Sequence, residues 1–116
     1  MPKLSTNRKK VVSGLVVLVS SGSADEAAKI AKVIVEAKLA ACANIVPSIR
    51  SIFRWKGRIE DCSEALIIFK TTSLCYKRLE EKVRENHTYT VPEIIGLTVS
   101  CGSPQYLDWV REQTSK

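Results

Sequence analysis

Lys56-Gly57 most narrows what this chain can become. A long alternating pattern lies on each side of it, and a two-residue connection obliges two strands to pair antiparallel. Before the turn, Ile45, Pro47, Ile49, Ser51, Phe53 and Trp55 share one face, and Asn44, Val46, Ser48, Arg50, Ile52 and Arg54 the other. Pro47 has no N–H for a ladder, so it marks an edge strand or a bulge. After the turn, Arg58 to Glu64 is polar, and Ala65 to Thr71 is apolar enough to be buried on both faces. A strand that passes from wet to dry fits a hairpin with its base in a core and its tip projecting. Strands this long exceed the usual length for a small domain. Exposed on a free hairpin, Ile52, Phe53, Trp55 and Ile59 would invite aggregation. Pairing with another copy of the chain is the economical remedy, so a homo-oligomer is expected.

The flanking segments limit the architecture. Gly14 to Ser21 is nearly continuous in apolar β-branched residues and predicts a central strand covered on both faces. Ser23-Ala24-Asp25-Glu26 is a capping box, in which the serine accepts from the glutamate amide and the glutamate reaches back. The helix it opens has Ala27, Ile30, Ala31, Ile34 and Ala37 on its apolar side. Ala40 to Ala43 are small and predict a tight helix-to-strand joint. Thr72 or Ser73 is expected to cap a second helix with Cys75, Tyr76, Leu79 and Val83 as its stripe. Ile94 to Cys101 predicts a further strand. Ser103 and Pro104 open a last helix with Tyr106, Leu107 and Val110 inward. The order β-α-β-β-α-β-α is that of the α+β, ferredoxin-like split βαβ sandwich, with an antiparallel sheet and both main helices on one face.

Charge excludes one class of partner. Four of the six net positive charges sit in Lys3, Arg8, Lys9 and Lys10, within an acid-free leader, residues 1–12, expected to be disordered. The body, 13–116, forms one domain and carries too little net charge for a nucleic-acid footprint. No apolar run approaches the ~20 residues of a membrane span, and the leader lacks a secretory apolar segment. Cys42, Cys62, Cys75 and Cys101 form no CxxC pair, which argues against structural zinc and for a reducing compartment, most simply the cytoplasm.

Chemistry concentrates in Asn86 to Ile95, which holds the only histidine in the chain. Cys42 and His87 are the best pair of soft ligands, and thiolate with imidazole suits copper or zinc. Glu60, Glu64 and Glu93 are carboxylate partners for such an ion, although acids on the return strand also fit a solvated hairpin face. Cys42 has a second reading as a small buried residue at the joint. Trp55, Lys70, Tyr89 and Trp109 can line an inter-subunit pocket for an anionic small molecule, or the tryptophans can simply bury interface area. No oxyanion turn accompanies Cys42, so binding is expected rather than catalysis.

Several motifs resemble those of the CutA family of divalent-cation tolerance proteins. Leu39-Ala40-Ala41-Cys42-Ala43-Asn44-Ile45 resembles its LAACVNI signature, and Ser51 to Glu60 its SxYxWxGKIE hairpin. Glu64, Leu66 and Lys70-Thr71 match the strand that follows. His87 to Ile95 resembles HPYEVPEII, and Tyr106-Leu107-Asp108-Trp109 a C-terminal YLxW. The resemblance spans about residues 13–113. It implies a tight homotrimer like that of the PII signalling proteins, a part in metal tolerance, and copper or another divalent cation as ligand. Three positions depart from the pattern. Thr88 replaces proline, Thr90 an acid and Phe53 a tyrosine, so a carboxylate and a hydroxyl are absent from the region.

Overall fold

The structure is a computed structural model that describes residues 13–115; the basic leader, 1–12, lies outside the described residues. The elements are β1 (Gly14–Ser21), α1 (Ala24–Glu36), β2 (Cys42–Trp55), β3 (Arg58–Thr72), α2 (Tyr76–Asn86), β4 (Ile94–Thr98) and α3 (Pro104–Thr114). The sheet order is β2-β3-β1-β4, and every neighbouring pair is antiparallel. This is the expected split βαβ arrangement, with β2 on an edge where Pro47 needs no ladder partner. The β2–β3 register also shifts between Val46 and Ile49, so Pro47 marks a bulge as well as an edge.

One face of the sheet is a conventional core. Val17 and Val19 of β1 and Ala65, Ile67 and Phe69 of β3 are buried under Ile30 and Ile34 of α1 and Leu79 and Val83 of α2. Burying a side chain of this size is worth about 1.5–3 kcal/mol. Half of the capping box forms as expected, with the Glu26 amide donating to Ser23 Oγ at 3.1 Å; the Glu26 carboxylate reaches back to the Gly22 amide instead of that of Ser23. Beyond α1, Lys38 adopts φ 61°. Its amide donates to the Val35 carbonyl, and that of Leu39 to Ile34, which closes a Schellman turn. Ala37 serves as the C-cap and is exposed, not part of the buried stripe. The joint to β2 is tight, as its small residues predict: the Thr71 hydroxyl donates to the Leu39 carbonyl at 2.6 Å, and Ala40 is buried.

Four expectations need correction. The cap of α2 is Cys75, with no side-chain cap bond; Thr72 belongs to β3, and its hydroxyl points to Cys75 Sγ. β4 stops at Thr98 instead of Cys101 because its partner β1 begins at Gly14, opposite Val99, whose amide makes the last bond. β1 is covered on one face only. Val16 and Leu18 on its other face are half-buried, and beside them on β4 Ile95 and Leu97 are 49% and 51% exposed. On α3, Val110 is buried but Tyr106 is exposed; Leu107 packs beside Gly14 and Gly102, and Tyr106 borders an open cavity beside Lys70.

The hairpin projects. Lys56 and Gly57 have φ of 51° and 77°, both positive, as a twisted two-residue turn requires. The molecule measures 57 × 26 × 21 Å. Arg50 and Asp61 bridge the two strands through bonds of 2.9 and 2.7 Å, which raises the guanidinium pKa and lowers that of the carboxyl.

Candidate functional site

The segment after α2 folds back against the end of β1 and is held there by its own polar groups. His87 Nε2 lies 2.7 Å from the Ser20 carbonyl, and Nδ1 accepts the Tyr89 amide at 3.1 Å. A carbonyl can only accept and an amide can only donate, so these contacts fit the neutral tautomer with its proton on Nε2. The side chain is 0% exposed. Both nitrogens of His87 are therefore spent on backbone, and the imidazole is a buckle between loop and strand.

Glu26 fastens the same loop from the other side. Its Oε2 accepts the Thr88 amide at 2.9 Å and its Oε1 the Gly22 amide at 3.1 Å. Burial by itself would raise the Glu26 carboxyl. Hydrogen bonds from Thr88 and Gly22 hold it below the usual value instead. The sequence shows Glu26 only as half of a capping box; that a carboxylate has a second oxygen to offer was the available hint.

Tyr89 completes the attachment. Its ring tilts against that of His87 at 4.7 Å, and its hydroxyl donates to Glu64 Oε2 at 2.6 Å. Burial and the Glu64 carboxylate both push the phenol upward. Glu64 is 7% exposed and has no basic partner among the described residues. Its other oxygen, Oε1, takes no hydrogen bond there and is not sealed from solvent.

Between this loop and the hairpin lies a cleft of about 840 Å³. Ser51, Phe53 and Trp55 alternate along β2 on one wall, Glu60 and Glu64 project from β3, and Tyr89, Val91 and Glu93 close the loop side. Glu60 stands opposite Phe53, and Trp55 opposite Arg58. Among the described residues, no lysine, arginine or histidine lines the cleft.

The sequence-derived site residues thus separate into groups. Glu60, Glu64, Glu93, Tyr89 and Trp55 meet in the cleft. Cys42 does not join His87. It pairs in register with Lys70, and Lys70 with Val16, whereas His87 binds the Ser20 carbonyl; the offset along β1 alone is about 13 Å at ordinary strand rise. Cys42 Sγ instead points to Asn44 Oδ1, which also accepts from Lys70 Nζ. Lys70 borders a separate cavity of about 230 Å³ beside Tyr106 and Leu107, and Trp109 packs on Tyr106 at 5.6 Å. The expected quartet of Trp55, Lys70, Tyr89 and Trp109 is split because Lys70 sits at the base of a 15-residue strand whose other end carries the cleft. Ser20 in the cleft wall had no signal, since only the folded loop brings it beside the hairpin residues.

A thiolate–imidazole donor set is therefore not assembled within one subunit. Among the described residues, no three histidine, cysteine or acidic side chains are grouped closely enough to hold a metal ion. No helix there is long and apolar enough to cross a membrane.

Residues 15–113 match the family described as CutA1 divalent ion tolerance protein. The chain is 48% identical over 99 residues to the divalent-cation tolerance protein CutA of Thermus thermophilus, covering 85% of this chain and 96% of that protein. The solved structure of the Thermus protein superposes with a TM-score of 0.86 over 88% of this chain and 99% of that one, at 46% identity. The chloroplastic protein CutA of Arabidopsis thaliana is 43% identical over 105 residues, covering 90% of this chain. This chain spans 58% of that longer protein. The crystal structure of CutA1 from Oryza sativa gives a TM-score of 0.87 at 38% identity, over 90% of this chain and 96% of that one.

Proposed function

This chain belongs to the CutA1 divalent ion tolerance family, and from that premise we propose that it serves metal-ion tolerance as a homotrimer, by binding rather than catalysis, with the hairpin–loop cleft as its ligand site. The carrying observation is the cleft wall: Glu60, Glu64 and Glu93 face it, and among the described residues no basic side chain does. Such a wall favours a cationic ligand. Copper is the first expectation for that cation, but its preferred soft donors, Cys42 and His87, are apart. We therefore assign the cleft to cations as a class, met by carboxylate oxygens.

The trimer reading is supported by two apolar surfaces that a lone subunit leaves open. One is the sheet face carrying Ile95 and Leu97. The other is the hairpin, with Ile52, Phe53, Trp55 and Ile59 exposed. Exposed large apolar side chains grouped in this way mark interaction surfaces, and a second copy laid along the hairpin would also close the cleft. The binding reading is supported by the same separation of Cys42 from His87, since a nucleophile and its base must touch. Four free thiols favour a reducing compartment, and we place the protein in the cytoplasm. The Arabidopsis relative is named for the chloroplast, so location need not be shared across the family.

A second reading has its own observation. Lys70 borders the smaller cavity together with Tyr106, which suits a PII-like signalling trimer that takes a small anion.

Calorimetric titration of copper, zinc and magnesium into wild type, His87→Ala and Glu64→Gln tests the assignment. Loss of ion binding in Glu64→Gln, with His87→Ala unchanged where it stays folded, is the expected pattern. Loss in His87→Ala alone would return the site to the imidazole.

A further inference from the structure

His87 is a titratable group sealed inside one subunit. Its side chain is 0% exposed, and its hydrogen-bond partners, Ser20 and Tyr89, belong to its own subunit, so they do not depend on assembly. A proton affects its two nitrogens differently. Nε2–H donates to the Ser20 carbonyl at 2.7 Å whether the ring is neutral or charged. Nδ1 accepts the Tyr89 amide at 3.1 Å, and only the neutral ring can accept. Once Nδ1 carries a proton, two donors face each other and that bond is lost.

A replacement partner stands beside the same nitrogen. Glu26 Oε2 lies 3.9 Å from Nδ1. A shift of about 1 Å would bring the pair to a charge-assisted hydrogen bond. Oε2 already accepts the Thr88 amide at 2.9 Å, but a carboxylate oxygen has a second lone pair to offer. The loop can thus stay fastened at Thr88 while it lets go at Tyr89. Glu26 is the charged group that α1 presents to the ring. On the loop the ring meets Tyr89, and behind Tyr89 stands Glu64 of β3. β1 gives it the Ser20 carbonyl. On α2, Arg84 and Glu85 are paired with Glu80 and Lys82.

Tyr89 carries the change outward. Its ring leans on the imidazole at 4.7 Å, and its hydroxyl holds Glu64 at 2.6 Å. Loss of the amide bond therefore loosens the tie between the loop and the long hairpin strand.

We propose that His87 is a proton-operated latch on the loop after α2. Neutral, it holds the Tyr89 amide; protonated from solvent at Nδ1, it turns to Glu26 and releases Tyr89. The latch stands whether or not the cleft takes a cation.

The chain has one histidine, so its ring signals are unambiguous in nitrogen NMR. The test follows them, with exchange of the Tyr89 and Thr88 amides, in the full chain in its solution assembly. The range is about pH 8 to about pH 5, where imidazoles change charge. At the upper end the ring proton should sit on Nε2. As the ring protonates, Tyr89 exchange should rise about tenfold beyond its intrinsic pH trend, while Thr88 stays protected. Glu26→Gln should move the step to lower pH, because the imidazolium loses its anion. A ring proton on Nδ1 at the upper end, or a ring still neutral at about pH 5, overturns the proposal. So does protonation that leaves Tyr89 protected or frees Thr88 with it, or a step that Glu26→Gln leaves in place. If Glu26→Gln does not fold, the wild-type contrast between Tyr89 and Thr88 decides.

Discussion

The hydroxyl of Tyr89 donates to Glu64 Oε2 at 2.6 Å and ties the loop after α2 to the middle of the long hairpin strand. The two residues are 25 positions apart, and this bond sets one wall of the cleft against the other.

Removing it should be costly. A hydrogen bond to a charged acceptor is worth about 1.5–3 kcal/mol, and the group left behind is nine-tenths buried. Tyr89→Phe should destabilise the fold by about 2 kcal/mol in urea denaturation. Adding Glu64→Gln should recover part of that loss, because the uncompensated charge goes with it. A Tyr89→Phe effect below about 0.5 kcal/mol would show that water replaces the phenol freely.

Acid should loosen the loop through Glu26. Its folded-state carboxyl lies below the ordinary value of 4.5. A group of this kind contributes stability that is fully present above pH 4.5 and is lost as pH falls through the folded value. Exchange of the Thr88 and Gly22 amides should therefore accelerate, beyond its intrinsic pH trend, as pH drops below about 4.5. In Glu26→Gln the accelerated step should vanish. An unchanged profile in that variant would mean that another carboxylate controls the loop.

Most of the fold was legible because each element rests on a local pattern. The Lys56-Gly57 turn, the Ser23–Glu26 box and the apolar period of α1 each report on neighbours a few residues away. What failed depends on distant partners. β4 ends where β1 begins, and among the described residues of one subunit no other element covers Tyr106 or completes the cover over Val16 and Leu18. The site divides in the same way. Glu60, Glu64 and Glu93, read as carboxylate partners of Cys42 and His87, border one cleft with Tyr89 and Trp55, read as members of a different pocket. Cys42 and His87 were joined on chemical affinity alone, and the strand rise places them at different levels of the sheet. The family signatures around both residues could not reveal this, since a motif specifies residues and not distances.

Lys38 offers a gain in stability. It holds φ 61° at the end of α1, a conformation glycine adopts without the side-chain clash. Lys38→Gly should stabilise the protein by about 0.5–1 kcal/mol, the left-handed penalty less the extra backbone entropy of glycine. Thermal unfolding of the two proteins in parallel measures it, and a lower midpoint in Lys38→Gly would show that the lysine side chain contributes more than its backbone costs.

The open sheet face makes the last prediction. Leu97 is half exposed on a strand whose covered face points to α1 and α2, so a charge there leaves the subunit core untouched. Within a trimer the same side chain would be desolvated against a neighbour, where an unpaired carboxylate costs several kcal/mol per subunit. Leu97→Glu should therefore keep its helical and strand content by circular dichroism while its light-scattering mass falls from three times 12.9 kDa to a single chain. Wild type should stay trimeric at the same concentration. A wild-type mass of one chain, or a variant that remains a trimer, would leave this face without the role proposed for it, and the cleft would then have to bind its ligand with the residues of one subunit alone.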